Sequence, residues 1–347
     1  MLLERDEENV QFTQAIRPLA TAGLALAGLL SLPATASAID ANETAEAMTR
    51  PVVTAFALPG DRVYPEGIAA DARNGDLYVG SFGTGAVYRA APGQATAEVF
   101  LPAGADGRAK AIGVKVDQQG WLWVIDPAGV TLYDTDTRER VARFVSPTPE
   151  TSLVNDLDIA TDGTGYLTDS TRALVYKVTP SQVKQAAEAG GVGGELAPAY
   201  DLSGTVAPQP AGTITLNGIE ADPSGRFLLT VDSAAGDLYR LDVATGAVHK
   251  VELHGATLRY GDGMHMEDGS LWVAHYANNT ISRLRVADDG MTATMEKQLT
   301  DPSLQIPTTL VRRHGRLYAV RSQFDKGGPI GPGVPDAPFT VAEVRGM

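Results

Sequence analysis

Residues 260–284 read YGDGMHMEDGSLWVAHYANNTISRL, and their reading decides the fold. Gly263 to Met266 is apolar-rich, Glu267-Asp268-Gly269 is a tight-turn signal, Leu271 to Ala274 is apolar and aromatic, and Thr280 to Leu284 alternates. These are three short strands. Asp262 stands just before the first and His275 just after the second. In an antiparallel pair the start of one strand lies beside the end of the next, so both residues face the same end of the sheet.

The pattern recurs. Strand–turn–strand copies begin at Tyr64 (YPEGIAADARNGDLYVGSF), Ala111 (AIGVKVDQQGWLWVIDP), Val154 (VNDLDIATDGTGYLTDS), Leu216 (LNGIEADPSGRFLLTVDS), Gly261 (GDGMHMEDGSLWVAHY) and Ile306 (IPTTLVRRHGRLYAVRS). The residues opening their first strands are Glu66, Ile112, Asn155, Asn217, Asp262 and Pro307, at steps of 46, 43, 62, 45 and 45 residues. Steps near 40–50 residues are those of a four-stranded propeller blade. One blade cannot bury both its faces, whereas a ring of blades buries a continuous core around a central channel. The expected fold is all-β, a six-bladed β-propeller.

Composition agrees with many short strands joined by tight turns: 44% hydrophobic residues and 37 glycines in 347 residues. With no cysteine, disulfides, thiol catalysis and Cys-ligated zinc or iron–sulfur sites are excluded. A net charge of −14 argues against nucleic acid or an anionic membrane as partner, since nothing offsets phosphate repulsion.

Arg17 precedes an apolar run from Leu19 to Leu32, then Pro33 and the A-x-A sequence Ala36-Ser37-Ala38. The run is short for a membrane span, and residues 1–38 are expected to be a signal peptide of an exported, periplasmic or secreted protein. The alternative is a retained N-terminal anchor. Residues 39–50 are small and polar, a linker, and 51–347 form the propeller. Pro51 to Leu58 is a surplus strand. The sixth repeat supplies only three strands (Thr309 to Val311, Leu317 to Val320, Phe339 to Val344), so the early strand is expected to complete that blade and close the ring. Two insertions depart from the repeat. Residues 179–212 are expected to lengthen the third blade through a short helix, Pro180 to Ala189, and a Gly/Pro-rich loop. Residues 323–338, FDKGGPIGPGVPDAPF, form a long loop expected at the Asp262 end of the last blade.

Inner strands line a propeller's channel, so Glu66, Asn155, Asn217 and Asp262 should converge there. Two carboxylates and two amides make an all-oxygen set of the kind a hard divalent cation such as Ca²⁺ prefers. Without a cation, two close carboxylates in a channel are costly. The alternative is a water-filled polar channel in which Asn-Gly and Asp-Gly are turn residues. The positions ending the second strands, Ser81, Asp126, Asp169, Asp232, His275 and Arg321, form another polar ring expected at the pocket rim, where His275 and Asp232 could serve as acid or base. Asp residues there could equally cap the following turns. His265 is read as a core or channel-wall residue rather than a ligand.

At these residues the chain resembles the senescence marker protein/gluconolactonase family of six-bladed propellers, with paraoxonases and diisopropyl fluorophosphatase as more distant relatives. The likeness spans about residues 53–345. Its motifs are Glu66-Gly67, Asn155-Asp156, Asn217-Gly218 and Asp262-Gly263. The resemblance implies one divalent metal, usually calcium, on Glu66, Asn155, Asn217 and Asp262, with Asp262 doubling as general base. It implies a lactonase or esterase whose partner is a small-molecule lactone or ester. Family enzymes that open sugar lactones carry an arginine just before the first Asn; here Ser152, Leu153 and Val154 stand there, so sugar-lactone specificity does not carry over. The catalytic residues expected are Asp262, with Asp232 and His275 at the rim. The competing expectation is a non-enzymatic propeller that keeps a structural ion and binds a ligand or protein at its rim.

Overall fold

The computed structural model describes residues 50–347. The expected signal peptide and all but the last residue of the expected linker lie outside the described residues. Six sheets follow one another along the chain. Their inner strands are Pro65–Ala70, Val114–Val116, Val154–Ile159, Leu216–Ala221, Gly261–Glu267 and Leu310–Arg313. Each inner strand packs beside the next, and the sixth returns to the first. The protein is a closed six-bladed β-propeller.

The surplus strand does close the ring. Val52–Leu58 runs antiparallel to Phe339–Val344, with Val52 opposite Val344 and Leu58 opposite Phe339. The last blade is thus built from both ends of the described chain, so separating them requires breaking a sheet. Between blades the apolar faces interleave; Ile68, Leu77, Val79, Phe339 and Val341, for example, join the first blade to the sixth. Trp123 and Trp272 are buried as core residues, and Trp121 packs partly buried against the same interior.

The insertion after the third blade's third strand is more ordered than a glycine-rich loop. A helix, Pro180–Glu188, starts at a reciprocal cap in which the Thr179 hydroxyl accepts the Gln182 N–H and the Gln182 side chain accepts the Thr179 N–H. Its Val183 and Ala186 are buried against the second blade. Val192–Glu195 then adds in parallel to the outer strand of that blade, Arg140–Val145. The chain returns as Ala197–Asp201, the outer strand of the third blade. The insertion therefore covers the open edge of a neighbouring sheet, which explains why a Gly-rich segment is folded here. A second parallel edge strand, Glu252–His254, does the same for the fifth blade.

Candidate metal centre and the cavity over it

Glu66, Asn155, Asn217 and Asp262 share a backbone device. In the first blade Pro65 faces Ser81 and Ile68 faces Val79, so Glu66 and Gly67 together oppose the single residue Gly80. The same two-against-one shift places Asn155 and Asp156 opposite Thr168, Asn217 and Gly218 opposite Val231, and Asp262 and Gly263 opposite Ala274. Such a bulge bends a strand and re-aims a side chain. The second and sixth blades, which offer Ile112 and Pro307, shift in the same place: Ile112 N–H donates to Ile125 O while Ile125 N–H donates to Gly113 O, and Ser322 N–H donates to Ile306 O while Val320 N–H donates to Thr309 O. The bulge is common to all six blades, and four of the six carry an oxygen-bearing side chain at it.

The glycines that follow are not turn residues. Gly67, Gly218 and Gly263 lie outside the left-handed region. They allow one inner strand to approach the next: a Cβ on Gly67 would sit 2.3 Å from the Ile112 carbonyl oxygen, and one on Gly218 would sit 2.3 Å from that of Asp262. Gly263 N–H donates to Thr308 O at 2.7 Å, and the Thr308 hydroxyl donates to Glu66 O at 2.8 Å, which ties the fifth, sixth and first blades' channel walls together. Tight backbone contact is what brings the four side chains to one place. The turn-residue alternative therefore fails for these motifs.

All four side chains are buried and border one cavity. Asn155 Nδ2 donates to Asn217 Oδ1 at 2.9 Å and to the Ser170 hydroxyl at 3.0 Å, and the Asn217 side chain favours the charged form of Asp262. Glu66 Oε2 is buried and has no partner. Burial, then the charges of Asp262 and Asp156, holds the Glu66 carboxyl well above the usual carboxylate range. Burial, then Asp156, does the same to Asp262. Among the described residues no three His, Asp or Glu side chains form a metal-binding cluster; here two carboxylates are completed by two amides. A buried Glu66 carboxyl with an orphaned oxygen, its pKa raised by burial and then by the charge of Asp262, Asp262 itself, and amide carbonyls beside them are a donor set that fits a hard divalent cation.

The polar ring at the ends of the second strands is built differently from the rim that the repeat suggests. Asp169, Asp232 and His275 lie directly opposite Val154, Leu216 and Gly261, the residues before the bulged positions. Directly opposed residues share a face and adjacent ones do not, so this ring points into the blade stack. Asp232 is fully buried and its Oδ1 accepts the N–H groups of Ala234 and Ala235, capping the turn. His275 is held between Arg259 O at 3.0 Å and the Ser282 hydroxyl at 2.9 Å, and burial lowers its pKa. Neither borders the cavity. Asp126 and Asp169 accept turn N–H groups in the same way, and Arg321 ties Thr54 of the closing strand to Thr340. His265 is a channel-wall residue at the opposite mouth, beside Lys115 and Glu220.

The cavity over the four side chains encloses about 210 Å³. Its walls are largely apolar: Phe82, Ile112, Pro127, Leu153 and Ile214, with Phe324, Pro329 and Ile330 from the long loop. The loop reaches the Asp262 end, as its place after a second strand requires. It is fixed there by Gln323, whose side chain accepts the Asp336 N–H and donates to the Asp336 carbonyl. Two polar residues complete the wall, Lys110 and Tyr276. Tyr276 follows His275 and stacks edge-on with Tyr260. Repeat alignment passes over both, because Lys110 precedes the second copy and Tyr276 lies one residue beyond the second strand.

The fold and its oxygen-lined channel end define a six-bladed propeller with a candidate divalent-metal centre. The profile of the SMP-30/gluconolactonase/LRE-like region matches residues 65–304, and the chain belongs to that family. No curated protein matches it in sequence. Among solved structures it is similar to a calcium-binding protein, regucalcin, from Agrobacterium tumefaciens, at 16% identity and a TM-score of 0.57 over 85% of this chain and 98% of that one. A gluconolactonase from Xanthomonas campestris is 18% identical, with a TM-score of 0.57 over 84% of this chain and 88% of the other. Virginiamycin B lyase from Staphylococcus aureus is 11% identical, with a TM-score of 0.55 over 82% and 81%. At these identities the likeness is one of fold, and a fold alone does not choose between chemistries.

Proposed function

We propose that this chain is an exported, calcium-dependent hydrolase of a lactone or related ester. The observation that carries the reading is the orphaned Glu66 Oε2, buried with Asn155, Asn217 and Asp262 at the floor of an apolar cavity. Glu66, Asn155, Asn217 and Asp262 would hold the cation. A bound divalent cation supplies polarisation of a carbonyl oxygen and stabilisation of the oxyanion formed on attack. Asp262 is the carboxylate at the cavity floor suited to take a proton from the attacking water, since Asp232 and His275 are engaged in the blade stack. The apolar walls and the 324–330 segment orient the ester and exclude bulk water. Family membership and the gluconolactonase and regucalcin likenesses support the same reading. Export rests on the sequence alone, and mass spectrometry of the mature N-terminus tests it, with Ile39 the expected first residue.

The test is a panel of lactones, aryl esters and phosphotriesters assayed after chelation and again after calcium is restored. Hydrolysis of a lactone or ester that chelation abolishes and calcium restores is the expected result. No turnover across the panel by calcium-loaded protein would shift the account to a ligand-binding propeller.

A further inference from the structure

Lys110 is placed unlike an ordinary surface lysine. It sits in the connection between the first and second blades, on backbone anchored at both sides. Arg108 is buried and donates to Gly85 O at 2.9 Å and to the Tyr133 hydroxyl at 2.7 Å. Ala111, fully buried, donates its N–H to Ser81 O at 2.9 Å. From this fixed stem the Lys110 ammonium lies 3.4 Å from the centroid of the Phe82 ring, within reach of its negative face. Phe82 itself stacks on Phe324 of the long loop, with ring centroids 5.1 Å apart. The ammonium is half-buried, borders the cavity and forms no ion pair with any described carboxylate. Burial lowers its pKa, and no neighbouring acid pulls it back.

The rest of the wall says what kind of molecule the cavity takes. Ile112 fills the second blade's position in the ligand ring, and Leu153 stands beside Asn155. A polyol lactone would bury several hydroxyls against Ile112, Leu153, Ile214 and Phe324, which offer no hydrogen-bond partner, and each unpaired hydroxyl is costly. A hydrocarbon body loses nothing there. At about 210 Å³ the space lies below the ~300–1,000 Å³ typical of drug-sized ligands, which suits a short chain or a small ring.

We infer that the cavity selects small esters and lactones whose apolar body carries a carboxylate, with Lys110 as the specificity-determining residue that binds it. The ester carbonyl then lies toward the Glu66–Asp262 floor and the anion toward the mouth. This deepens the hydrolase reading and rests on it for the chemistry, while its binding half stands without turnover.

The test separates the two. Calorimetry measures the affinity of the mature protein, in calcium buffer, for two non-hydrolysable probes: the mono-N-methylamide of adipic acid and N-methylhexanamide, which lacks the carboxylate. The acid is expected to bind up to about fivefold tighter, the upper end of what a partly exposed ion pair contributes, and its advantage should shrink with added salt. Lys110→Met keeps the apolar stem over Phe82 and should abolish the preference; Lys110→Arg should keep most of it. The corresponding methyl esters report turnover, where kcat/KM should favour the acid by a similar factor in the wild type and not in Lys110→Met. Equal affinity for the two probes, binding of neither, or a preference that survives Lys110→Met would overturn the inference. If the acid probe binds through Lys110 but neither ester is hydrolysed, the specificity stands and the hydrolase reading falls. If both esters turn over equally, the reverse holds.

Discussion

Gly218→Ala probes how the four side chains are brought together without altering any of them. An alanine Cβ at this position would lie 2.3 Å from the Asp262 carbonyl oxygen, 2.8 Å from Met264 Cγ and 3.1 Å from Met264 N. Real Cβ contacts do not fall below 3.0 Å, so the inner strands of the fourth and fifth blades must part by about 0.7 Å, the difference between 3.0 and 2.3. Two of the obstructing atoms are backbone, so a rotamer change cannot relieve the clash. Overpacking of this kind typically costs about 1–3 kcal/mol, which in a domain of this size lowers the melting temperature by roughly 2 °C per kcal/mol. The parting also separates Asn217 from Asp262. Disturbing the support of a ligand set usually costs about 10–100-fold in metal affinity, and a loss of at least tenfold in calcium affinity is expected. Scanning calorimetry and a calcium titration measure both. Gly204→Ala is the control: a Cβ there meets nothing within 4 Å, and stability should be unchanged or raised by up to about 1 kcal/mol. A Gly218→Ala protein that melts with the wild type and binds calcium equally well would refute the argument that close strand approach assembles the site.

Asp262→Asn keeps an oxygen able to ligate but removes the base, so kcat in the ester assay should fall by about 10²–10⁴ with probe affinity little changed; unaltered kcat would remove Asp262 from the chemistry. Asp232→Ala and His275→Ala should instead lose about 1–2 kcal/mol of stability through the lost turn cap and the unpaired Ser282 and Arg259 groups. Their kcat per folded molecule should stay within about threefold, and a 10²-fold loss in either would return that residue to the mechanism. His265 offers a pH test at the far mouth. Burial, then Lys115 and Arg312, lowers its pKa from 6.5 to about 3, so below pH 6.5 the unfolded chain binds a proton that the folded one refuses. The associated stability is full above that pH and is lost as pH falls toward 3. Urea titrations should show the wild type losing on the order of 2 kcal/mol relative to His265→Gln between pH 7 and pH 5; a constant difference would mean that His265 is protonated in the fold.

The fold and the ring of oxygen-bearing side chains are legible in the chain because both are periodic. Six copies put Glu66, Asn155, Asn217 and Asp262 in phase, and one strand too many at the front, Val52–Leu58, finds its partner in a blade one strand short. What depends on strand register or tertiary packing escapes. A bulge shifts the register by one residue, so aligned copies place Asp232 and His275 beside Asn217 and Asp262 when the pleat turns them to the opposite face. Glycine after Asn or Asp is read as a turn, although at Gly218 it serves inter-strand contact. Lys110 and Phe324 reach the cavity from connections whose course depends on tertiary packing. The strands Val192–Glu195 and Glu252–His254 are too short and too polar to be recognised until a neighbouring sheet edge pairs them.

The central claim is that four bulged positions hold one divalent cation, and a crystal structure of the mature protein grown in calcium tests it most directly. The account predicts a single strong peak among the side chains of Glu66, Asn155, Asn217 and Asp262, at about 2.3–2.6 Å from an oxygen of each, with Glu66 Oε2 no longer orphaned. Calcium-saturated crystals with no peak there, or with the ion held by other residues, would contradict it.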